Sequence, residues 1–147
     1  MNPKSNTPIA VCLVALSAWA NATTKEVQFK LLRMWNGQTK SGAECAGRDF
    51  ESPDHVKLWS TTVYLSSRDG AMKEYRAVLN GAAKIISDGK LGTGAEVGER
   101  RAVVLLTGGK DCERLTEIVF TRDTELHLLE SCSADTVFGF ERQAGRK

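Results

Sequence analysis

Three short apolar runs follow one another in the C-terminal half of the chain, and each is bounded by turn-forming residues. They are RRAVVLLT at 100–107, ERLTEIVF at 113–120 and TELHLLES at 124–131. Runs of this length that are rich in Val, Ile, Leu and Thr are typical of β-strands, and consecutive strands joined by short turns pair antiparallel. The sequence therefore predicts an antiparallel meander, so any fold for this chain must include a sheet.

The first twenty residues have the pattern of a secretory signal peptide. Lys4 precedes the apolar run 9–18, and the small residues of Ala18-Trp19-Ala20 form a cleavage motif. A second such motif follows at once and would place cleavage after residue 22. The run is shorter than the roughly 20 residues that a transmembrane helix needs. We therefore expect an exported protein, periplasmic or extracellular, that does not span the membrane.

Cys112 and Cys132 flank the last two of the apolar runs. If these runs pair around a turn at Arg122-Asp123, the cysteines lie nearly opposite each other, at Cα distances of about 4.5 to 5.5 Å that a disulfide spans. Export to an oxidising compartment favours the bond. The alternative is two separately buried thiols, since a register slip of one residue would turn the side chains to opposite faces. Zinc is disfavoured because no close-spaced Cys or His pair is present.

The charge of the chain is nearly balanced. The signal peptide contains Lys4, one of the 20 basic residues of the chain, and none of its 18 acidic residues. The mature chain therefore has one more basic residue than acidic residues. Nucleic-acid binding needs clustered Lys and Arg, so we expect no nucleic-acid partner. The remaining length is that of one ordinary domain. We assign 23–142 to a single globular domain and 143–147 to a basic tail.

The N-terminal half of the domain begins with the segment KEVQFKLLRMW, residues 25–35. Its alternation predicts a strand with one apolar face, formed by Val27, Phe29, Leu31 and Trp35. Helical spacing competes with this interpretation, and Asn36-Gly37 is a turn signal. The polar residues 38–54 are typical of a long loop. HVKLWSTTVYLSS, residues 55–67, again predicts a strand.

The segment 70–87 supports two incompatible interpretations. As a helix it has one apolar face, with Asp69 as cap and Gly89 as its end. As two short strands it would turn at Asn80-Gly81. We favour the helix because Ala, Met, Lys, Glu, Arg and Leu dominate the segment. The apolar helix face consists of Met72, Tyr75, Leu79, Ala82 and Ile86.

The C-terminal segment SADTVFGFERQ predicts a short helix, with Ser133 as its cap. Together these elements predict an α+β fold, in which an antiparallel sheet carries one main helix at about 70–87 and a short C-terminal helix. The alternative is an all-β meander or barrel, which would follow if 70–87 were a hairpin.

Cys45 has no partner in the mature chain once Cys112 and Cys132 are bridged. An odd cysteine in an exported protein indicates a reactive thiol or an intermolecular bond, here a dimer through Cys45. As a nucleophile it would need His55 or His127 as base, with Asp49 or Asp54 to orient it. No cysteine-protease signature surrounds Cys45, and the acidic residues beside it disfavour a thiolate.

No pattern indicates a cofactor or a metal. The glycine-rich GKLGTGAEVG lacks phosphate-loop spacing, and the two histidines lie far apart in sequence. Trp35 and Trp59 are candidate ligand contacts, although tryptophans on alternating strands are more often core. We therefore expect a non-catalytic binding domain for a protein, a cell-envelope component or a small ligand. The alternative is a small secreted hydrolase or thiol-dependent enzyme that uses Cys45 with a histidine.

Overall fold

The structure, a computed structural model, describes residues 28–90, 99–109 and 111–144. The predicted signal peptide, most of the glycine-rich segment and the last residues of the basic tail lie outside these ranges. In chain order the elements are β1 (Lys30–Gln38), β2 (Glu44–Glu51), β3 (Lys57–Tyr64), α1 (Arg68–Gly81), β4 (Lys84–Lys90), β5 (Arg100–Thr107), β6 (Arg114–Arg122), β7 (Glu125–Ser131) and α2 (Ala134–Ala144).

The strands form one sheet of seven in the order β1-β2-β3-β7-β6-β5-β4, and every neighbouring pair is antiparallel. The helices pack on opposite faces. On one face Val119 clusters with Tyr75 of α1, and on the other Ile118 clusters with Val137 of α2. We call these the α1 face and the α2 face. The chain is thus mostly antiparallel sheet, with two helices.

The predicted meander is confirmed as β5, β6 and β7. Asp123 makes the β6–β7 turn with a φ of 57°, in the left-handed region that Asp tolerates better than most residues. The sulfur atoms of Cys112 and Cys132 lie at disulfide-bonding distance, 2.12 Å, with Cα atoms 6.0 Å apart. The two cysteines are not opposite each other in the ladder. They lie just beyond its end, before β6 and after β7.

The predicted loop at 38–54 is wrong, because about half of it forms β2, which pairs with β1 and β3 along its whole length. Its small and polar residues concealed the strand. Both faces of β2 are covered, and Gly47 and Arg48 are buried along with Phe50. The alternation of apolar and polar residues that marks a half-exposed strand is therefore missing.

The first predicted strand exists, but β1 continues through Asn36-Gly37, and the turn comes at residues 39–42. Gly42 makes that turn possible with a φ of 91°, which side chains rarely allow. The predicted single face is also wrong. The pairing register shifts between Leu31 and Arg33, so Leu31 packs on the α2 face and Trp35 on the α1 face.

The main helix is present, but α1 is shorter than predicted. It begins after Ser67, whose hydroxyl accepts a hydrogen bond from the Gly70 amide over 2.9 Å, so Asp69 is not the cap. It ends at Gly81, and Gly89 lies within β4. The hairpin turn at Asn80-Gly81 is also wrong, since both residues are helical.

The predicted C-terminal helix is confirmed as α2. Ser133 caps it, because the Thr136 amide donates to the Ser133 hydroxyl over 3.3 Å. The helix extends to Ala144 and so includes the first residues that we assigned to the tail. Among the described residues, no helix has the length and apolar character needed to cross a membrane.

Candidate ligand-binding cleft

The sheet separates the residues that the sequence offered for catalysis. Cys45 is 8 % exposed and packs on the α1 face, where its strand neighbour is Val63. His127 lies on the α2 face, directly opposite Thr62. His55 is exposed in the β2–β3 turn, 3.8 Å from a carboxylate oxygen of Glu51. The structure therefore brings Cys45 together with neither histidine.

A cleft of about 450 Å³ lies where β1 ends, β2 begins and β3 ends. Its walls carry two amides, a carboxylate and a phenol, and its floor is a small side chain. The strand register places all five of these side chains on the α2 face. The lining residues are Asn36, Gly37, Gln38, Glu44, Cys45, Ala46 and Tyr64. The cleft thus offers hydrogen-bonding groups held on strands.

A hydrogen-bonded chain runs beside this cleft. The Thr62 hydroxyl lies 3.3 Å from His127 Nδ1, and His127 Nε2 lies 2.9 Å from Glu125 Oε1. Phe120, on the other neighbouring strand, stacks on the imidazole with ring centroids 4.7 Å apart and an interplanar angle of 7°. The imidazole is therefore held at both nitrogens and on one ring face, because β3, β6 and β7 present these side chains in one row.

The charge of Glu125 in this row influences the pKa of Tyr64, which lines the cleft. The hydrogen bond from His127 holds the pKa of Glu125 below its ordinary value, so this carboxylate stays ionised. Glu125 lies opposite Tyr64 across β3 and β7. Burial, and then the charge of Glu125, raise the pKa of Tyr64. The phenol that lines the cleft is therefore a hydrogen-bond donor throughout the ordinary pH range.

Arg48 lies on the α2 face below the cleft floor, two residues along β2 from Ala46, and is 8 % exposed. Burial lowers the pKa of its guanidinium, and the interaction with Tyr64 opposes that shift. Its Nε is buried and has no hydrogen-bond partner. No carboxylate within the described ranges lies at ion-pair distance from it.

The α1 face holds a second polar pair, remote from the cleft. Glu117 is buried and lies directly opposite Glu130 across β6 and β7. Burial first, and then a hydrogen bond and repulsion from Glu130, raise the pKa of Glu117 above its ordinary value. Burial beside a second carboxyl group therefore favours the protonated form of Glu117.

Of these residues, His127 was a candidate from the sequence, whereas Arg48, Thr62, Tyr64 and Glu125 were not. Arg48 fell in the segment taken for a loop, so its burial was not foreseen. The other three stand at alternate positions of β3 and β7, and that alternation was the available signal. Which of these positions meet depends on the strand register. In the ranges that the structure describes, no three His, Cys, Asp or Glu residues form a metal-binding group.

Comparison with known proteins adds no relative. No family model matches the chain, and neither a curated protein nor a solved structure is significantly similar to it.

Proposed function

We propose that this chain is an exported, non-catalytic binding domain that takes a small polar ligand in the cleft at the end of β1, β2 and β3. The observation that carries the proposal is the concentration of hydrogen-bonding side chains around a concave surface. Side chains from three neighbouring strands converge on it: Asn36 and Gln38 of β1, Glu44 of β2 and Tyr64 of β3. Polar groups held on strands around a concavity are what a specific ligand site requires.

The cleft differs from the rest of the α2 face in the burial of its side chains. Below it, Phe50, Leu58 and Leu129 pack against Val137 of α2 and belong to the core. At the cleft, Asn36, Gln38 and Glu44 remain exposed. The helix α2 thus covers one end of the face, and a ligand has access to the other.

The test is a thermal-shift screen with sugars, amino acids and small organic acids. We expect at least one compound to raise the melting temperature of the wild type and to lose that effect in the Asn36→Ala, Gln38→Ala double variant. Both side chains are exposed, so the variant should fold normally. Asn80→Ala, an exposed change on α1, is the matched control and should keep the shift. A shift that survives the double variant would contradict the proposal.

A second candidate is a small hydrolase, and one observation favours it. A hydroxyl, an imidazole and a carboxylate follow one another as Thr62, His127 and Glu125, the order used in acyl transfer. Thr62 is 8 % exposed, which limits access to its hydroxyl. Hydrolysis of p-nitrophenyl acetate that is lost in both Thr62→Val and His127→Gln would support this candidate. A rate equal to that of buffer would exclude it for that ester.

A thiol-dependent enzyme centred on Cys45 remains a further alternative, and so does a dimer linked through this cysteine. Both require the Cys45 thiol to reach solvent, whereas it packs beside Val63 and Trp35 in the α1-face core. The accessibility of this thiol is the quantity that tests either idea.

A further inference from the structure

Arg48 stands out among the arginines that the structure describes. The others that lie close to a carboxylate form ion pairs: Arg33 with Asp49, Arg68 with Asp123, Arg100 with Asp88, and Arg101 with Glu141. Arg48 is more buried than any of these four, yet no described carboxylate pairs with it. Burial of a charge without a partner costs free energy, and proteins ordinarily pair such a charge or expose it to solvent.

Arg48 also lies next to the cleft on the α2 face. Arg48 interacts electrostatically with Tyr64, which lies opposite Glu44, four residues from Arg48 along β2. Because alternate residues of a strand share a face, Arg48, Ala46 and Glu44 follow one another on the α2 face. Ala46 is the floor of the cleft, so Arg48 is the next residue beyond that floor on the same face.

We propose that the ligand of this cleft carries a carboxylate group, which accepts hydrogen bonds from the Arg48 guanidinium and the Tyr64 hydroxyl. This inference rests on the proposed binding function and specifies the ligand class. A planar carboxylate matches the fork of N–H donors on arginine, and such charge-assisted pairs are among the stronger hydrogen bonds in proteins.

The charges around the site favour one negative charge over several. Glu44 lines the cleft, and Glu125, which stays ionised, lies beside Tyr64. A phosphate or a polyanion carries more negative charge than a monocarboxylate, so both carboxylates would repel it more strongly. A monocarboxylate gains the guanidinium contact with the least repulsion, and its uncharged part lies towards the amides of Asn36 and Gln38.

The experiment is a titration of the ¹⁵N-labelled full-length mature protein, followed by NMR, with three probes: benzoate, benzamide and inorganic phosphate. Benzamide has nearly the shape of benzoate without its charge. We expect benzoate to shift the backbone amides of Ala46 and Tyr64 and to bind about tenfold or more tightly than benzamide. Phosphate should leave these amides unshifted. Equal affinities for benzoate and benzamide, or tighter binding of phosphate, would overturn the inference.

Variants locate the contact. Arg48→Met should reduce benzoate affinity about tenfold or more and leave benzamide affinity unchanged, and Arg48→Lys should give an intermediate loss. The control Arg33→Met removes an exposed arginine from the α1 face and should change neither. The melting temperature of Arg48→Met without ligand should equal or exceed that of the wild type, since apolar replacement of a buried charge is often stabilising. If Arg48→Met fails to fold, Arg48→Lys and the probe comparison on the wild type still decide.

The outcomes separate the two proposals. Benzoate affinity that Arg48→Met leaves unchanged, with loss in the Asn36→Ala, Gln38→Ala variant, overturns the role of Arg48 and leaves the binding function standing. The same holds if only neutral compounds of the thermal-shift screen bind at the cleft. If no compound of the screen and none of the three probes binds there, both proposals fail.

Discussion

The indole ring of Trp35 lies over Gly47 of the neighbouring strand, so close that a Cβ atom on residue 47 would stand 2.1 Å from the ring carbons. The ring nitrogen donates a hydrogen bond to Asp49 Oδ1 over 3.3 Å. Only glycine permits this approach. The contact covers one face of β2 and joins an edge strand to the α1-face core.

Gly47→Ala should therefore destabilise the protein by about 1 to 3 kcal/mol, because the methyl group forces the indole of Trp35 out of its position. Urea unfolding measures the change in the free energy of unfolding. Gly89→Ala, where a Cβ meets nothing within 4 Å, is the matched control and should be close to neutral. In a Trp35→Leu background the cost of Gly47→Ala should fall. An unchanged cost there would show that the clash with the indole is not its cause.

Glu117→Gln should stabilise the protein at neutral pH. The pKa of Glu117 is raised in the folded state, so its contribution to stability is fully present below the unfolded value of about 4.5 and is lost as the pH rises above it. Above the unfolded pKa, Glu117 should therefore lower the free energy of unfolding of the wild type by up to about 1.4 kcal/mol per pH unit.

Urea unfolding between about pH 5 and pH 8 tests this dependence, because this range lies above the unfolded pKa of Glu117. The exposed Glu113→Gln provides the control and should keep the wild-type slope. If Glu117→Gln has the same slope as the wild type, the buried Glu117 carboxyl group does not hold a proton.

The Cys112→Ser, Cys132→Ser double variant should lose about 3 kcal/mol of stability, the chain-entropy cost of opening a loop of this size. Reduction of the wild type with dithiothreitol should give a similar loss, measured by urea unfolding. The double variant itself should be insensitive to the reductant. If reduction destabilised it as much as the wild type, another bond would account for the effect.

The thiol of Cys45 should react slowly with iodoacetamide in the native protein and rapidly in urea, because the side chain is buried on the α1 face. Mass spectrometry of the alkylated protein over time gives both rates. Non-reducing electrophoresis of the same sample should show monomer. Fast native alkylation, or a disulfide-linked dimer, would favour the alternatives in which Cys45 acts as a nucleophile or an intermolecular link.

Secondary structure was most predictable from the sequence where one face of an element is apolar and the other face is exposed to solvent. The meander and α2 were predicted because β-branched runs, turns and the Ser133 cap are local signals. The strand β2 was missed since its burial comes from Trp35 and from α2, which are distant in sequence. The end of α1 was misplaced because Ile86 continues the helical spacing, although it lies on the edge strand β4 and is 54 % exposed.

The candidate site could be predicted only in part. His127 was a recognisable residue type, but its partners depend on the pairing of β3 with β7. A shift of one residue in that register would remove Thr62 from His127. The absence of a partner for Arg48 is a property of the folded surroundings, and no local pattern contains it.

The pairing of β3 with β7 also determines when the sheet can be completed. About 60 residues, 65–124, separate these two strands, whereas the other neighbouring strands are joined by short connections. When the chain emerges with its N-terminus first, β1, β2 and β3 become available before β7, and the edge of β3 stays unpaired until β7 follows. The N-terminal part of the sheet is therefore vulnerable to mispairing during that interval, and its closure is the late, slow event of folding.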